Sequence, residues 1–270
     1  MILARVFLPQ PRIVSLQGAL RHLLSLPSAS ARMWLRVQGL MAATTAVVPW
    51  ARFHLKPLVN HVLLHWSPVS QMFQQLIPVT PQIVHDLSWW LEGIHLSVGI
   101  PFCLPLPLVL TTDASMWGWG AVLLDQEVKG SWSTVESSRS SNWRELLAVW
   151  MALQHFSSQL QGHHVLIRTD NQVTRCYLNR QGGTRSAALN LLSIQIFQWA
   201  ELHLIHLAAV YIQGQLNFRA DSLSRNLSSS VFYHLATRVF DLICLQFGVP
   251  WMDLFASPSN AMVQSFCSEQ

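Results

Sequence analysis

Residues 108–124 read LVLTTDASMWGWGAVLL, two apolar runs joined by a short turn, and the first run ends on one carboxylate, Asp113. Runs of this length and composition predict two strands, at 107–113 and 117–124, with a tight connection between them. A short turn needs no acid, and a buried strand does not carry one without a use for it. Whatever this chain folds into must bring the end of that strand to a place where a lone carboxylate has work to do.

The rest of the second half supplies the setting. A third strand is predicted at 127–133, a helix at 143–160, and a short buried strand over HVLIRTD at 164–170. Helices follow at 171–180 and 186–202, divided by NRQGGTRS, then a strand at 206–213 and a helical turn in FRADSLSR. The order β-β-β-α-β-α-α-β-α predicts an α/β fold around a mixed five-stranded sheet with flanking helices. The first three strands form an antiparallel meander, and two crossover strands join the first, giving the order 3-2-1-4-5.

In such sheets ligands gather beyond the carboxyl ends of the parallel strands. Asp113 and Asp170 end strands one and four there. Glu145 lies in the first turn of the helix before strand four, and Asp221 follows strand five. Packed together, four acids repel and raise one another's pKa unless cations sit among them. Hard oxygen ligands with open water positions suit Mg²⁺ or Mn²⁺. Each acid taken alone has a plainer reading. Glu145 follows Asn142 by three and would close a capping box. Asp170 or Asn171 would cap a helix, and Asp221 would suit a helix N-terminus. The order and spacing of all four carry the signal.

The first third reads differently. Residues 14–66 repeat leucine at three- and four-residue steps and predict helices, broken near Pro49. Thr80 and Pro81 predict another helix start, with Ile83, Leu87, Trp90, Leu91 and Ile94 on one face and an end at Gly99 and Pro101. Residues 1–85 carry seven basic groups (Arg5, Arg12, Arg21, Arg32, Arg36, Arg52 and Lys56) and no acid, while the remainder holds 10 basic against 13 acidic groups. A basic segment of this kind either tracks phosphates or solvates helix faces. Pro101, Pro105 and Pro107 mark a linker.

With 51% hydrophobic and 11% charged residues in 270, the chain is not disordered. Its richest apolar stretch, LSVGIPFCLPLPLVL, is interrupted by proline and short for a membrane span. The first residues lack the pattern of a signal peptide. The expectation is an intracellular protein, cytoplasmic or nuclear, not secreted and without a membrane partner. Cys103, Cys176, Cys244 and Cys267 lie far apart, which argues against a disulfide framework or a zinc ribbon. The histidines at 163, 164, 203 and 206 have no carboxylate or cysteine at ligand spacing.

LTTDASMWGWGAVL, SSNWRELLAV, VLIRTDNQ and YIQGQLNFRADSLSR resemble, in order, the four motifs of the retroelement ribonuclease H domain. The likeness is to DIRS-type retrotransposons above all, whose NRQGGTRS-like loop is present here, and the last motif is also similar to that of gypsy-type elements. LMAATTAVVPWARFHLKPL resembles the helical region after the polymerase palm in DIRS elements. FGVPWMDLFASPSNAMVQSFCS resembles the segment after their ribonuclease H. The resemblance divides the chain into a post-palm, thumb- or connection-like helical region at 1–100, a ribonuclease H-like domain at 107–228 and a C-terminal extension at 229–270.

What the resemblance implies is an endonuclease that cuts the RNA strand of RNA–DNA hybrids. Asp113, Glu145, Asp170 and Asp221 would hold two Mg²⁺ ions roughly 4 Å apart, with Mn²⁺ as the alternative ion. Asp113 would bridge them, Asp221 would serve the nucleophile side, and Glu145 with Asp170 the leaving-group side. Asn142, Asn171 and Gln172 stand beside the acids as candidates for 2′-hydroxyl contacts. Arg180 and Arg185 in NRQGGTRS are candidates for phosphate contacts at a helix N-terminus, against the plainer reading of a helix-to-helix turn.

Two departures bear on activity. Cellular ribonucleases H carry a histidine shortly before the last aspartate, and YIQGQLNFRAD has none, a lack shared by gypsy-like elements. No adjacent Asp-Asp pair occurs, so polymerase activity is not expected, and the polymerase portion of one polyprotein would be a partner. The competing readings are a catalytically silent retroelement remnant that only binds nucleic acid, and another nuclease on the same fold, of resolvase or integrase type.

Overall fold

The computed structural model describes residues 4–102, 105–183, 185–225, 237–254 and 261–267. It divides into two compact units, Met1–Arg225 and Asn226–Gln270. Cys103 and part of the predicted C-terminal extension lie outside the described residues.

The first unit begins with helices α1 (Gln10–Leu24), α2 (Ala31–Ala42), α3 (Ala51–His65) and α4 (Pro81–Leu87). Leu16, Leu20, Leu23, Trp34, Met41, Leu58, Ile83, Leu87 and Trp90 form one core there. The leucine periodicity of the sequence is that core's inner face. Ser28–Ser30 pairs antiparallel with Leu76–Pro78 in a small separate sheet, which the helical reading missed. The Thr80 hydroxyl accepts from the Ile83 N–H as the cap of α4. The expected long helix stops early: a 3₁₀ turn takes Ser88–Leu91, and Ile94 is 69% exposed instead of facing the core.

The main sheet contains β1 (Leu108–Ala114), β2 (Gly118–Leu123), β3 (Gln126–Ser131), β4 (His164–Thr169) and β5 (His206–Tyr211). Its order is β3-β2-β1-β4-β5, the predicted 3-2-1-4-5. β1 runs antiparallel to β2, with Asp113 opposite Gly120, and parallel to β4, with Leu108 opposite Val165. β5 is parallel to β4. The carboxyl ends of β1 and β4 therefore point the same way.

Helix α5 (Ser141–His155) crosses one face and buries Leu146, Val149, Ala152 and Leu153 against the core that holds Leu110 and Ile167. It ends at Phe156, so the single helix expected to 160 is two, with Ser157–Leu160 as a separate turn. Helices α6 (Gln172–Asn179) and α7 (Ala187–Leu202) extend this layer. Helix α8 (Phe218–Arg225) packs on β2. Gly120 permits the approach: a Cβ there would lie 2.4 Å from Leu223 Cβ and 2.5 Å from the Ala220 carbonyl oxygen.

β5 is an edge strand, and one amide closes part of that edge. Asn179 Nδ2 donates to the Ala209 carbonyl and its Oδ1 accepts from the Ala209 N–H, both at 2.8 Å. Asn179→Ala would strand two backbone groups of a buried residue, a loss of about 1–3 kcal/mol. Urea unfolding should show that decrease, and an unchanged midpoint would mean water replaces the amide without cost.

In the second unit, helix α9 (Thr237–Phe247) precedes a parallel pairing of Asp253–Leu254 with Phe266–Cys267.

Candidate active site

Asp113, Glu145 and Asp170 each offer a carboxylate oxygen, and the three oxygens lie within 4.8 Å of one another. Asp113 is placed by the end of β1, Asp170 by the residue after β4, and Glu145 by the second turn of α5. Asp113 and Glu145 are only 4% and 6% exposed, while Asp170 is half-buried. Asp221 stands one step outside this trio. It is close enough for its charge to act on Asp113 and Asp170, and its Oδ1 accepts from Arg225 Nε at 2.7 Å.

The plainer readings of these acids fail at Glu145. Its helix is capped by Ser140, whose hydroxyl accepts from the Trp143 N–H, and the capping box belongs to Ser133 and Glu136 upstream. Glu145 is left with a buried Oε2 that has no hydrogen-bond partner. Burial, then the charges of Asp113 and Asp170, push its carboxyl up to about 9, although the Ala114 N–H and Arg144 oppose the shift. Burial pushes Asp113 up to about 6, with Asp170 and Asp221 adding to the rise while Ser224 and Arg225 oppose it. Asp170 is raised too, by burial first and then by Asp221. A buried set of mutually raised carboxylates is what cations would relieve.

Asn171 is the cap of α6, its Oδ1 accepting from the Thr174 N–H at 2.8 Å, as the plainer reading allowed. Its Nδ2 donates to Asn142 Oδ1 at 2.8 Å, so the two amides form one unit beside the acids. Gln172 Oε1 accepts from Arg175 Nε, leaving its amide nitrogen exposed. Arg180 and Arg185 are exposed at the two ends of the loop between α6 and α7. Thr184 of that loop lies outside the described residues.

Sequence reasoning missed the residues that hold Asp113. Asn217 Nδ2 donates to Asp113 Oδ1 at 3.2 Å, and Ser224 Oγ donates to Oδ2 at 2.7 Å. Ser115 in turn donates to the Ser224 carbonyl at 2.6 Å and accepts from the N–H groups of Trp117 and Gly118. The signal was present in NFRADSLS: Asn217, Asp221 and Ser224 are spaced by four and three, which is one face of a helix.

One comparison bears on this arrangement. Residues 104–197 match the family described as RNase H-like domain found in reverse transcriptase. The match covers the elements carrying Asp113, Glu145 and Asp170 and stops before Asp221. The enzymatic polyprotein of Figwort mosaic virus (strain DxS) is 28% identical over 201 residues, covering 65% of this chain and 29% of the relative. That of Cauliflower mosaic virus (strain Strasbourg) is 32% identical over 146 residues, covering 47% of this chain and 21% of the relative. The chain thus spans only about a fifth to three-tenths of these relatives' length. Among solved structures, RNase H1 from Halobacterium salinarum NRC-1 is 17% identical with a TM-score of 0.37, covering 44% of this chain and 94% of that one. A foamy viral protease-reverse transcriptase in complex with RNA/DNA hybrid is 14% identical with a TM-score of 0.31, covering 75% and 27%. The RNase H-like fold rests on the observed strand order and the family match.

Proposed function

We propose that the chain is a divalent-metal-dependent endonuclease that cuts the RNA strand of RNA–DNA hybrids. The observation that carries this is the meeting of Asp113, Glu145 and Asp170 at the parallel strand ends, with the Glu145 Oε2 buried and unpartnered. An all-oxygen, anionic donor set fits Mg²⁺, with Mn²⁺ as the alternative, and Asp221 would complete it. Bound there, such ions would lower the pKa of the attacking water and offset charge on the leaving oxygen.

The chain's own residues do the positioning. Asn217 and Ser224 fix both oxygens of Asp113, and Arg225 holds Asp221 at the rim. The Asn142–Asn171 pair retains free amide hydrogens for a ribose 2′-hydroxyl, which distinguishes RNA from DNA. Gln172 adds a further donor, and Arg180 and Arg185 present charge to the phosphates.

The finer parts of this reading are a DIRS-type origin, two ions, and an upstream polymerase portion as physical partner. The four motifs in order support the first two, and the similarity to viral polyproteins supports the third. An intracellular site of action is part of the same proposal. Among the described residues no helix is long and apolar enough to cross a membrane.

The test is an end-labelled RNA–DNA hybrid incubated with the full chain in Mg²⁺ or Mn²⁺. Cutting confined to the RNA strand is expected, with single-stranded RNA and duplex DNA left whole. Binding without cutting in either ion would sink the proposal in favour of a silent remnant. Cutting of duplex DNA would favour a resolvase-type nuclease.

A further inference from the structure

A second charged feature lies where α3 of the helical region meets the loop after α6. Arg52 and Lys56 are one helical turn apart on α3, and Arg52 Nη1 donates to the Asn179 carbonyl at 3.1 Å. That bond brings the next residue, Arg180, to the same place. Burial lowers the Lys56 pKa, and the charges of Arg52 and Arg180 lower it further.

The backbone beside Lys56 is built tightly. Gly182 sits at φ +113, and a Cβ there would lie 3.1 Å from Asn190 Oδ1 and 3.9 Å from Lys56 Cε. Gly183 lies against the Tyr177 ring and donates its N–H to Asn190 Oδ1 at 3.2 Å. The loop is therefore held against the lysine by backbone, with no side chain at Gly182 or Gly183.

No acid answers these cations. Lys56 opens onto a cleft of about 630 Å³ between α3, α4 and α7, which contains Asp86 and Glu201. Both carboxylates are engaged elsewhere. Asp86 accepts from Gln82, and Glu201 accepts from Trp89 Nε1 at 3.0 Å and pairs with His54 at 2.8 Å. Among the described residues, no ion pair involves Arg52, Lys56 or Arg180. Three converging cations without an ion-pair partner repel one another, and an anion between them would relieve that repulsion.

We propose that Arg52, Lys56 and Arg180 form a phosphate clamp, shared between the helical region and the RNase H-like domain, that grips a backbone phosphate of the duplex away from the cleavage point. The clamp rests on the nuclease reading for the identity of its ligand. Its reach follows from α6: eight residues rise about 12 Å from the acidic end of β4 to Arg180. That span is roughly three to four nucleotide steps along one strand. The helical region is then part of the substrate platform, and the clamp sets how the duplex enters the acidic cluster.

The test uses the full chain and a labelled hybrid in EDTA, so that binding is read without cutting. Log affinity is followed against log salt for wild type, Lys56→Gln, Arg180→Gln, and Arg36→Gln on the surface of α2. Each clamp variant should reduce the salt slope by about 1, and Arg36→Gln should leave it unchanged. Replacing one phosphate by an uncharged methylphosphonate, three or four steps from the cut, should weaken wild type and have no further effect on Lys56→Gln. Because Lys56 is held between two cations, Lys56→Gln should melt at or above the wild-type temperature, which separates lost binding from unfolding.

Equal slopes for all four proteins would overturn the clamp, and so would an equal drop for Arg36→Gln, which would place the affinity in diffuse charge. These results are distinct from failure of the nuclease reading. In that case wild type would bind hybrid with the full slope and leave it uncut when Mg²⁺ or Mn²⁺ is restored.

Discussion

Asp113→Asn should abolish hybrid cleavage while leaving the protein folded. The substitution keeps shape and removes one negative charge from the centre of the carboxylate trio. A rate loss on the order of 10³-fold or more, about 4 kcal/mol of barrier, is expected. The pocket can accept the amide. Its oxygen can face Asn217 Nδ2, and its nitrogen can donate to Ser224 Oγ, whose own hydrogen turns to the Asp221 carbonyl already 2.9 Å away. Without metal the melting temperature should stay level or rise, because one charge leaves a repulsive cluster. Mg²⁺ should raise the melting temperature of wild type and not of the variant. A folded variant that still cuts at the wild-type rate would remove Asp113 from the mechanism.

Glu145 governs a second large effect, on stability against pH. Its folded-state pKa is about 9 against an ordinary 4.5, and that of Asp113 is about 6 against 3.8. For an acid whose pKa is raised on folding, the favourable contribution is complete below the ordinary value and is lost as pH rises through the folded one. Metal-free protein should therefore lose stability steeply from about pH 4 to 6, where both acids contribute, and more gradually from there to about pH 9, where only Glu145 does. At about 1.4 kcal/mol per pKa unit the two shifts together are on the order of 9 kcal/mol. Glu145→Gln keeps an oxygen for the Ala114 N–H and cannot ionise. It should flatten the alkaline stage and melt several degrees above wild type at pH 9. Metal binding must displace the same protons, so stabilisation of wild type by Mg²⁺ should grow with pH. Melting curves from pH 5 to 9, with and without Mg²⁺, decide the matter. Parallel curves for wild type and Glu145→Gln would mean that Glu145 does not titrate in this range.

Much of the sheet was legible because its signals are local. Apolar runs such as VLIRTD have the length of buried strands, and the β-β-β-α-β order leaves few ways to connect them. The acids at the ends of β1 and β4 follow from that topology alone. What escaped depends on contacts between distant segments. Helix periodicity ran on past Phe156 and Leu87, and only packing ends those helices. Glu145 looked like part of a capping box because Asn142 precedes it by three, whereas the true cap is Ser140, two residues earlier than expected. Asn217 and Ser224 act across more than a hundred residues of sequence on Asp113. The pairing of Ser28–Ser30 with Leu76–Pro78 escaped because three-residue strands carry almost no pattern.

Among the described residues, Trp50 is the one buried residue of the helical region that belongs to the core of the sheet. It stands at the start of α3 with φ 63, and its indole stacks on His206 of β5 with ring centroids 5.1 Å apart. It belongs to the core beneath the sheet, while its neighbours Val48 and Ala51 belong to the core of the helices. Removing so large a buried ring costs about 3–5 kcal/mol. The sheet would therefore accept a different upstream neighbour only if that neighbour brought a ring to the same spot.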